Sequence, residues 1–147
     1  MTDHRYRQSE LPALAAHLLS AYGGGRTYAL VGDLGAGKTT LVGEMCRQLG
    51  VTEPTSSPTF SIVNEYAATN GPVLHLDCYR LEDVAEALDA GLEEIFSHPG
   101  ATVFVEWPAV IEPLLPPNVV YLRLRHAPGG DARFLTITTG HPPSDEQ

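Results

Sequence analysis

Eight consecutive residues can do recognisable chemistry: Gly32-Asp33-Leu34-Gly35-Ala36-Gly37-Lys38-Thr39 has the spacing G-x-x-x-x-G-K-[ST]. Glycines at these positions let successive backbone N–H groups turn into one concavity, and such a concavity binds anions. A helix that starts at the lysine adds its positive end at the same place. The Lys38 ammonium then supplies a point charge for the β- and γ-phosphates of a nucleotide, and the Thr39 hydroxyl is a ligand for Mg²⁺. The nucleotide-binding set read from this segment is Leu34, Gly35, Ala36, Gly37, Lys38, Thr39 and Thr40. Lys38 is the chain's single lysine, and it falls at the one position where the pattern demands lysine. That coincidence argues against a chance glycine-rich turn. The same glycines do not make a dinucleotide fingerprint, because the sixth position of G-x-G-x-x-G counted from Gly35 is Thr40.

A phosphate cradle of this kind needs a carboxylate on a neighbouring strand to hold the metal, directly or through water. Glu106, directly after Val103-Phe104-Val105, is the natural candidate, with a solvated strand-end acid as the bland alternative. Asp77, after His75-Leu76, suits either orienting an attacking water or completing the metal shell; a helix-capping aspartate is the bland alternative. Thr59 in Ser57-Pro58-Thr59-Phe60 lies on a loop able to fold over a γ-phosphate, although such a string is also an ordinary turn. Trp107, the single tryptophan, follows Glu106 and is either a core anchor or a wall of the site. A lone strand histidine such as His75 is more often structural than a metal ligand. Arg80 either meets a phosphate or pairs with Glu82 or Asp83.

The elements that must position these residues follow from periodicity and punctuation. Ser9 ahead of Leu11, Leu14, Ala15, Leu18 and Leu19 predicts an N-capped amphipathic helix, closed by Gly23-Gly24-Gly25. Pro12 is tolerated in its first turn. Tyr28-Ala29-Leu30-Val31 predicts a buried strand feeding the cradle. The helix from Lys38 places Leu41, Met45 and Leu49 on one face and ends at Gly50. After a loop over residues 52–58, a strand around Phe60 and Ile62 and a second at Val73-Leu74-His75-Leu76 flank the turn signal Asn70-Gly71. Leu81 to Phe96 reads as two helical pieces broken near Gly91. Thr102 to Val105 is another buried strand, and Val119 to Leu124 with Phe134 to Thr139 forms a last hairpin. Strands interleaved with helices predict a single domain of α/β class. The expected form is a three-layer, P-loop NTPase-like sandwich with a central mixed, mainly parallel sheet, its ligand at the carboxyl ends of the parallel strands. The tail from Pro142 to Gln147 is expected to be disordered.

Composition narrows the function. With 147 residues, 43% hydrophobic and 18% charged, the chain has the make-up of one ordinary globular domain. No apolar run approaches the ~18 residues of a membrane span, and the opening Met1-Thr2-Asp3-His4-Arg5 has no apolar stretch behind it. The two cysteines, Cys46 and Cys78, make no disulfide framework, which suits a cytoplasmic setting. A net charge of −9 repels phosphate backbones, so tight binding of nucleic acid by the chain alone is not expected. With no second lysine there is no N-K-x-D loop for guanine, so ATP is the expected nucleotide. A small-molecule kinase needs a basic lid, but Arg80 is the only basic residue between Arg47 and Arg123. That kinase, disfavoured by the missing lid, and a nucleotide-sensing module with slow turnover are the two alternatives.

Taken in order, Gly-Asp-Leu-Gly-Ala-Gly-Lys-Thr-Thr at 32–40, Ser-Pro-Thr-Phe at 57–60, His-Leu-Asp-Cys-Tyr-Arg at 75–80, Gly-Leu-Glu-Glu at 91–94 and Val-Glu-Trp-Pro at 105–108 resemble the TsaE (YjeE) family. The resemblance runs over about residues 9 to 139. It implies a cytoplasmic protein that binds ATP or ADP with Mg²⁺ and hydrolyses ATP weakly when alone. It further implies action with the TsaB and TsaD proteins, which place threonylcarbamoyl on adenosine 37 of tRNAs reading ANN codons. The tRNA would then be held mainly by those partners. By motif position Thr39 and Glu106 would be the Mg²⁺ ligands, Asp77 the catalytic acid, Thr59 the switch threonine, and Trp107 a neighbour of the nucleotide. Family members often carry a basic residue in the last hairpin; here only Arg133 can take that place. The segment near Gln8 and Ser9 would pack by the adenine.

Overall fold

The computed structural model describes residues 2–33, 35–56, 58, 63–128 and 130–143. Its strands are β1 (Thr2–Tyr6), β2 (Thr27–Val31), β3 (Val63–Tyr66), β4 (Val73–Asp77), β5 (Thr102–Glu106), β6 (Val120–His126) and β7 (Arg133–Thr139). Its α-helices are α1 (Leu11–Tyr22), α2 (Lys38–Gln48), α3 (Val84–Asp89) and α4 (Leu92–Ile95). The strands form one sheet in the order β1-β7-β6-β2-β5-β4-β3. The four central strands, β6, β2, β5 and β4, run parallel; β7 and β3 run antiparallel to them on the two sides, and β1 pairs antiparallel with β7 at the outer edge. The sheet is therefore mixed with a parallel centre.

Strand alternation sorts the core onto two faces. Tyr28 and Leu30 of β2, Phe104 of β5 and Leu122 and Leu124 of β6 pack with Leu14 and Leu18 of α1 and Leu41 and Met45 of α2. Leu74, Leu76, Val103 and Val105 face the other way, against Ala87 of α3, Leu92 of α4 and Ile111. Helices on both faces of the sheet complete the three layers. The parallel strands end together at Val31, Asp77, Glu106 and His126. Every acidic candidate therefore arrives at the rim where the glycine-rich turn leaves β2.

Local chemistry explains where the elements stop. Helix α2 ends in a Schellman arrangement: Gly50 N–H donates to Arg47 O (3.1 Å) and Val51 N–H to Cys46 O (3.0 Å), with Gly50 at φ +99°. Asp83 caps α3 by accepting from Glu86 N–H at 2.9 Å, and Gly91 at φ +77° breaks the chain between α3 and α4.

Two expectations shift, and two elements appear that the sequence did not mark. Ser9 does not cap α1; it lies in a 3-10 turn, Gln8–Glu10, whose Glu10 occupies the cap position, and the Glu10 carboxylate instead accepts from Arg7 N–H at 2.9 Å. Strand β1, unmarked by any apolar alternation, pairs with β7 from Thr2↔Ile137 to Tyr6↔Arg133. A second 3-10 segment, Pro108–Leu114, follows β5. Of the tail, Pro142 and Pro143 line a cavity beside the cradle and Pro143 is buried. The expected strand around Phe60 and Ile62 lies outside the described residues, as do Leu34, Thr59 and the stretch 144–147; β3 begins at Val63.

Candidate functional site

The cradle is built by close backbone approach. A Cβ on Gly32 would stand 2.5 Å from the Leu124 carbonyl oxygen, so this turn passes β6 only because position 32 has no side chain. Gly35 and Gly37 take φ +80° and +104°, conformations that favour glycine. Ala36 is buried, and its N–H closes the turn on Asp33 O at 3.1 Å. Helix α2 then starts at Lys38 with Gly37 as its cap and no capping side chain, so the first N–H groups of α2 face the concavity.

Lys38 is buried, 5% exposed, and points along the strand ends. Its ammonium donates to Gly32 O and, at 3.4 Å, to Asp33 O, and lies 3.9 Å from the centre of the Trp107 ring. Burial lowers its pKa from the ordinary 10.5, and the charges of Glu106, Asp33 and Asp77 act in the opposite direction. Trp107 is the only non-glycine described residue at positive φ (57°), a conformation that costs on the order of 1–3 kcal/mol and marks functional positions. The ring of Tyr79 lies 5.0 Å from it, and Tyr79 is 60% exposed.

Sheet register brings the acids together. Asp77 of β4 stands opposite Glu106 of β5, and Glu106 stands opposite Leu30 of β2. Both Glu106 oxygens lie 3.2 Å from Thr39 Oγ1 at the start of α2. A hydroxyl and a carboxylate converging in this way are a hard oxygen pair of the kind Mg²⁺ prefers, so Thr39 and Glu106 fit that ion. No group of three or more His, Cys, Asp or Glu side chains converges among the described residues. Asp77 Oδ1 accepts from Tyr79 N–H at 3.0 Å, an Asx turn that fixes the carboxylate at the rim.

The sequence-derived residues Gly35, Ala36, Gly37, Lys38, Thr39, Asp77, Glu106 and Trp107 thus meet at one end of the sheet. Thr40 sits exposed in the first turn of α2. Arg80 is exposed and makes no ion pair among the described residues. Arg133 folds onto its own hairpin, donating to Ala132 O at 3.0 Å and Gly130 O at 3.3 Å. Gln8 and Ser9 are exposed. The N-terminal residue nearest the cradle is Tyr6, whose hydroxyl lies 3.8 Å from where a Cβ on Gly37 would be. Tyr6 pairs with Arg133 in the β1–β7 ladder; burial raises its pKa and the Arg133 charge opposes the rise. The sequence held no signal for Tyr6, because only strand pairing carries it there. A cavity of about 640 Å³ opens between Gly32 and Asp33, the Trp107–Val110 stretch and Arg123 and Arg125 of β6.

Comparison with known proteins gives the family. Residues 6–133 match the family described as Threonylcarbamoyl adenosine biosynthesis protein TsaE. The tRNA threonylcarbamoyladenosine biosynthesis protein TsaE of Bacillus subtilis is 42% identical over 114 residues, 78% of this chain and 70% of the relative. The protein of the same name from a Nostoc species is 52% identical over 69 residues, 47% of this chain and 42% of the relative. The one from Rickettsia conorii is 34% identical over 119 residues, 80% of this chain and 66% of the relative. For the latter two, the match therefore spans less than two thirds of the relative's length. The crystal structure of Bacillus subtilis YdiB superposes with a TM-score of 0.71 at 32% identity, over 95% of this chain and 87% of that one. The chain belongs to the TsaE family of threonylcarbamoyl adenosine biosynthesis proteins.

Proposed function

We propose that this chain is the ATP-binding and ATP-hydrolysing subunit for threonylcarbamoylation of adenosine 37 in tRNAs that read ANN codons, working in the cytoplasm with TsaB and TsaD. One observation carries the reading. The single lysine, a threonine hydroxyl and a buried glutamate meet at the mouth of a glycine nest, at the carboxyl ends of parallel strands. Family membership supplies the tRNA context.

The chemistry follows from the placement. N–H groups of the 35–39 turn and the α2 terminus bind the phosphates. The Lys38 ammonium, released from Gly32 O and Asp33 O, turns to the β- and γ-phosphate oxygens, where charge accumulates as the bond to the leaving oxygen lengthens. Thr39 and Glu106 would hold Mg²⁺, which would supply positive charge to neutralise the phosphates when bound. Asp77, held by the Tyr79 N–H, is placed to accept a hydrogen bond from the attacking water. The water oxygen forms the new bond to the γ-phosphorus, its proton passing to Asp77, while the bond from that phosphorus to the β–γ bridging oxygen breaks, giving ADP and phosphate. Trp107 covers Lys38 and keeps bulk water from that side.

Fluorescence of Trp107 during titration with Mg-ATP and Mg-GTP tests the site, because the ring stands 3.9 Å from the Lys38 ammonium. An ATP-selective change is expected, and Lys38→Ala is expected to abolish it. Unchanged ATP affinity in Lys38→Ala would overturn the assignment.

A further inference from the structure

Glu106 does not rely on Thr39 alone. One residue before the end of β4's inward-facing series, His75 Nε2 lies 2.6 Å from Glu106 Oε2. Both groups are almost sealed from water, His75 at 1% exposure and Glu106 at 3%. Alternation places them together: Leu74 and Leu76 turn to the α3–α4 face, so His75 and Asp77 turn to the α2 face, where Glu106 and Thr39 lie. The register sets His75 opposite Phe104 and Asp77 opposite Glu106, so the imidazole reaches diagonally across to the carboxylate.

The contact has a direction. With Glu106 ionised, as a metal ligand has to be, the carboxylate only accepts, so Nε2–H of the imidazole donates to Oε2. The other ring nitrogen, Nδ1, is buried with no hydrogen-bond partner among the described residues. The ring therefore makes a single polar contact, and that contact is with Glu106. The last torsion of a glutamate is broad and roughly two-fold, so each hydrogen bond to the carboxylate narrows its orientation. The Thr39 hydroxyl lies 3.2 Å from both oxygens and has one proton, so it does not distinguish them.

We propose that His75 is a positioning residue for Glu106: its Nε2–H fixes Oε2 and orients the carboxylate, with Thr39 Oγ1, toward the cation of a bound Mg-nucleotide. The proposal rests on the nucleotide-site reading above. It assigns His75 no contact with substrate. A hydrogen-bonded partner of this kind tunes metal affinity by roughly 10–100-fold.

Mn²⁺ replaces Mg²⁺ as the probe, with binding to the purified chain in excess ADP followed by electron paramagnetic resonance. His75→Leu is expected to weaken Mn²⁺ binding at least ~10-fold while leaving ADP affinity in chelator unchanged. His75→Gln, whose amide N–H₂ reaches the Nε2 position, is expected to restore most of the loss. Where His75→Leu does not fold, His75→Asn replaces it, since that amide reaches only the Nδ1 position and should bind Mn²⁺ as weakly. Nitrogen NMR of the parent protein gives a check without substitution, with the proton expected on Nε2. If the parent ADP complex takes up no Mn²⁺, the site reading and the proposal fall together. If the parent binds Mn²⁺ and His75→Leu binds within two-fold of it, the proposal alone falls. Equal losses in the Gln and the Leu or Asn variants, or a proton on Nδ1, overturn it too.

Discussion

At Lys38 burial and charge act in opposite senses, and the balance is testable. Burial lowers its pKa below 10.5, so between the lowered value and 10.5 the unfolded chain holds more protons than the folded one. Stability contributed by this group therefore rises with pH across that window, and the cost of the buried cation is fully present below it. A bound phosphate reverses the preference, because it favours the charged ammonium. Affinity for metal-free ADP is expected to fall as pH rises through the lowered pKa, with proton uptake on binding visible by calorimetry in buffers of different ionisation enthalpy. Affinity flat up to pH 10.5 would contradict this. Glu106→Ala and Asp77→Ala are expected to keep the fold and lose ATP hydrolysis; parent rates in both variants would remove these acids from the chemistry. Lys38, Thr39, Glu106 and Asp77 were legible in the sequence because a fixed motif spacing or a strand end places each of them. The His75–Glu106 contact was not, since it depends on the relative register of β4 and β5, which neither strand encodes alone.

Among the elements, α2 carries the site at one end and a glycine-dependent stop at the other. A Cβ on Gly50 would fall 2.0 Å from Thr69 Oγ1, and position 50 sits at φ +99°. Gly50→Ala is therefore expected to destabilise the fold by about 1–3 kcal/mol in urea denaturation, while ADP affinity stays at the parent value. An equally stable variant would mean that the Schellman stop of α2 contributes little. The buried runs of β2 and β5 and the amphipathic face of α2 were readable because their side chains alone specify burial. Strand β1 was not, because Thr-Asp-His-Arg-Tyr shows no apolar alternation and becomes a strand by backbone pairing with β7. Ser9 misled for a related reason: the Glu10 carboxylate captures the Arg7 N–H and moves the helix start beyond the serine.

For the molecule as a whole, charge and shape divide the work. A chain of net charge −9 is expected to retain no tRNA in a gel-shift assay at physiological salt, and tight binding by the chain alone would contradict the view that partners hold the RNA. No helix among the described residues is long and apolar enough to cross a membrane. The sheet presents one rim, where the cradle, the acids and Trp107 converge, so nucleotide turnover is expected at that end of the molecule. The most direct test of the central claim is the rate of ATP hydrolysis by the chain alone and then with TsaB, TsaD and tRNA. The account predicts slow turnover alone, a rise of at least ~10-fold with the partners, and loss of that rise in Glu106→Ala, as expected when a positioned metal ligand is removed. Parent-level ATP binding with no rise on adding the partners would contradict it and leave a nucleotide-sensing module.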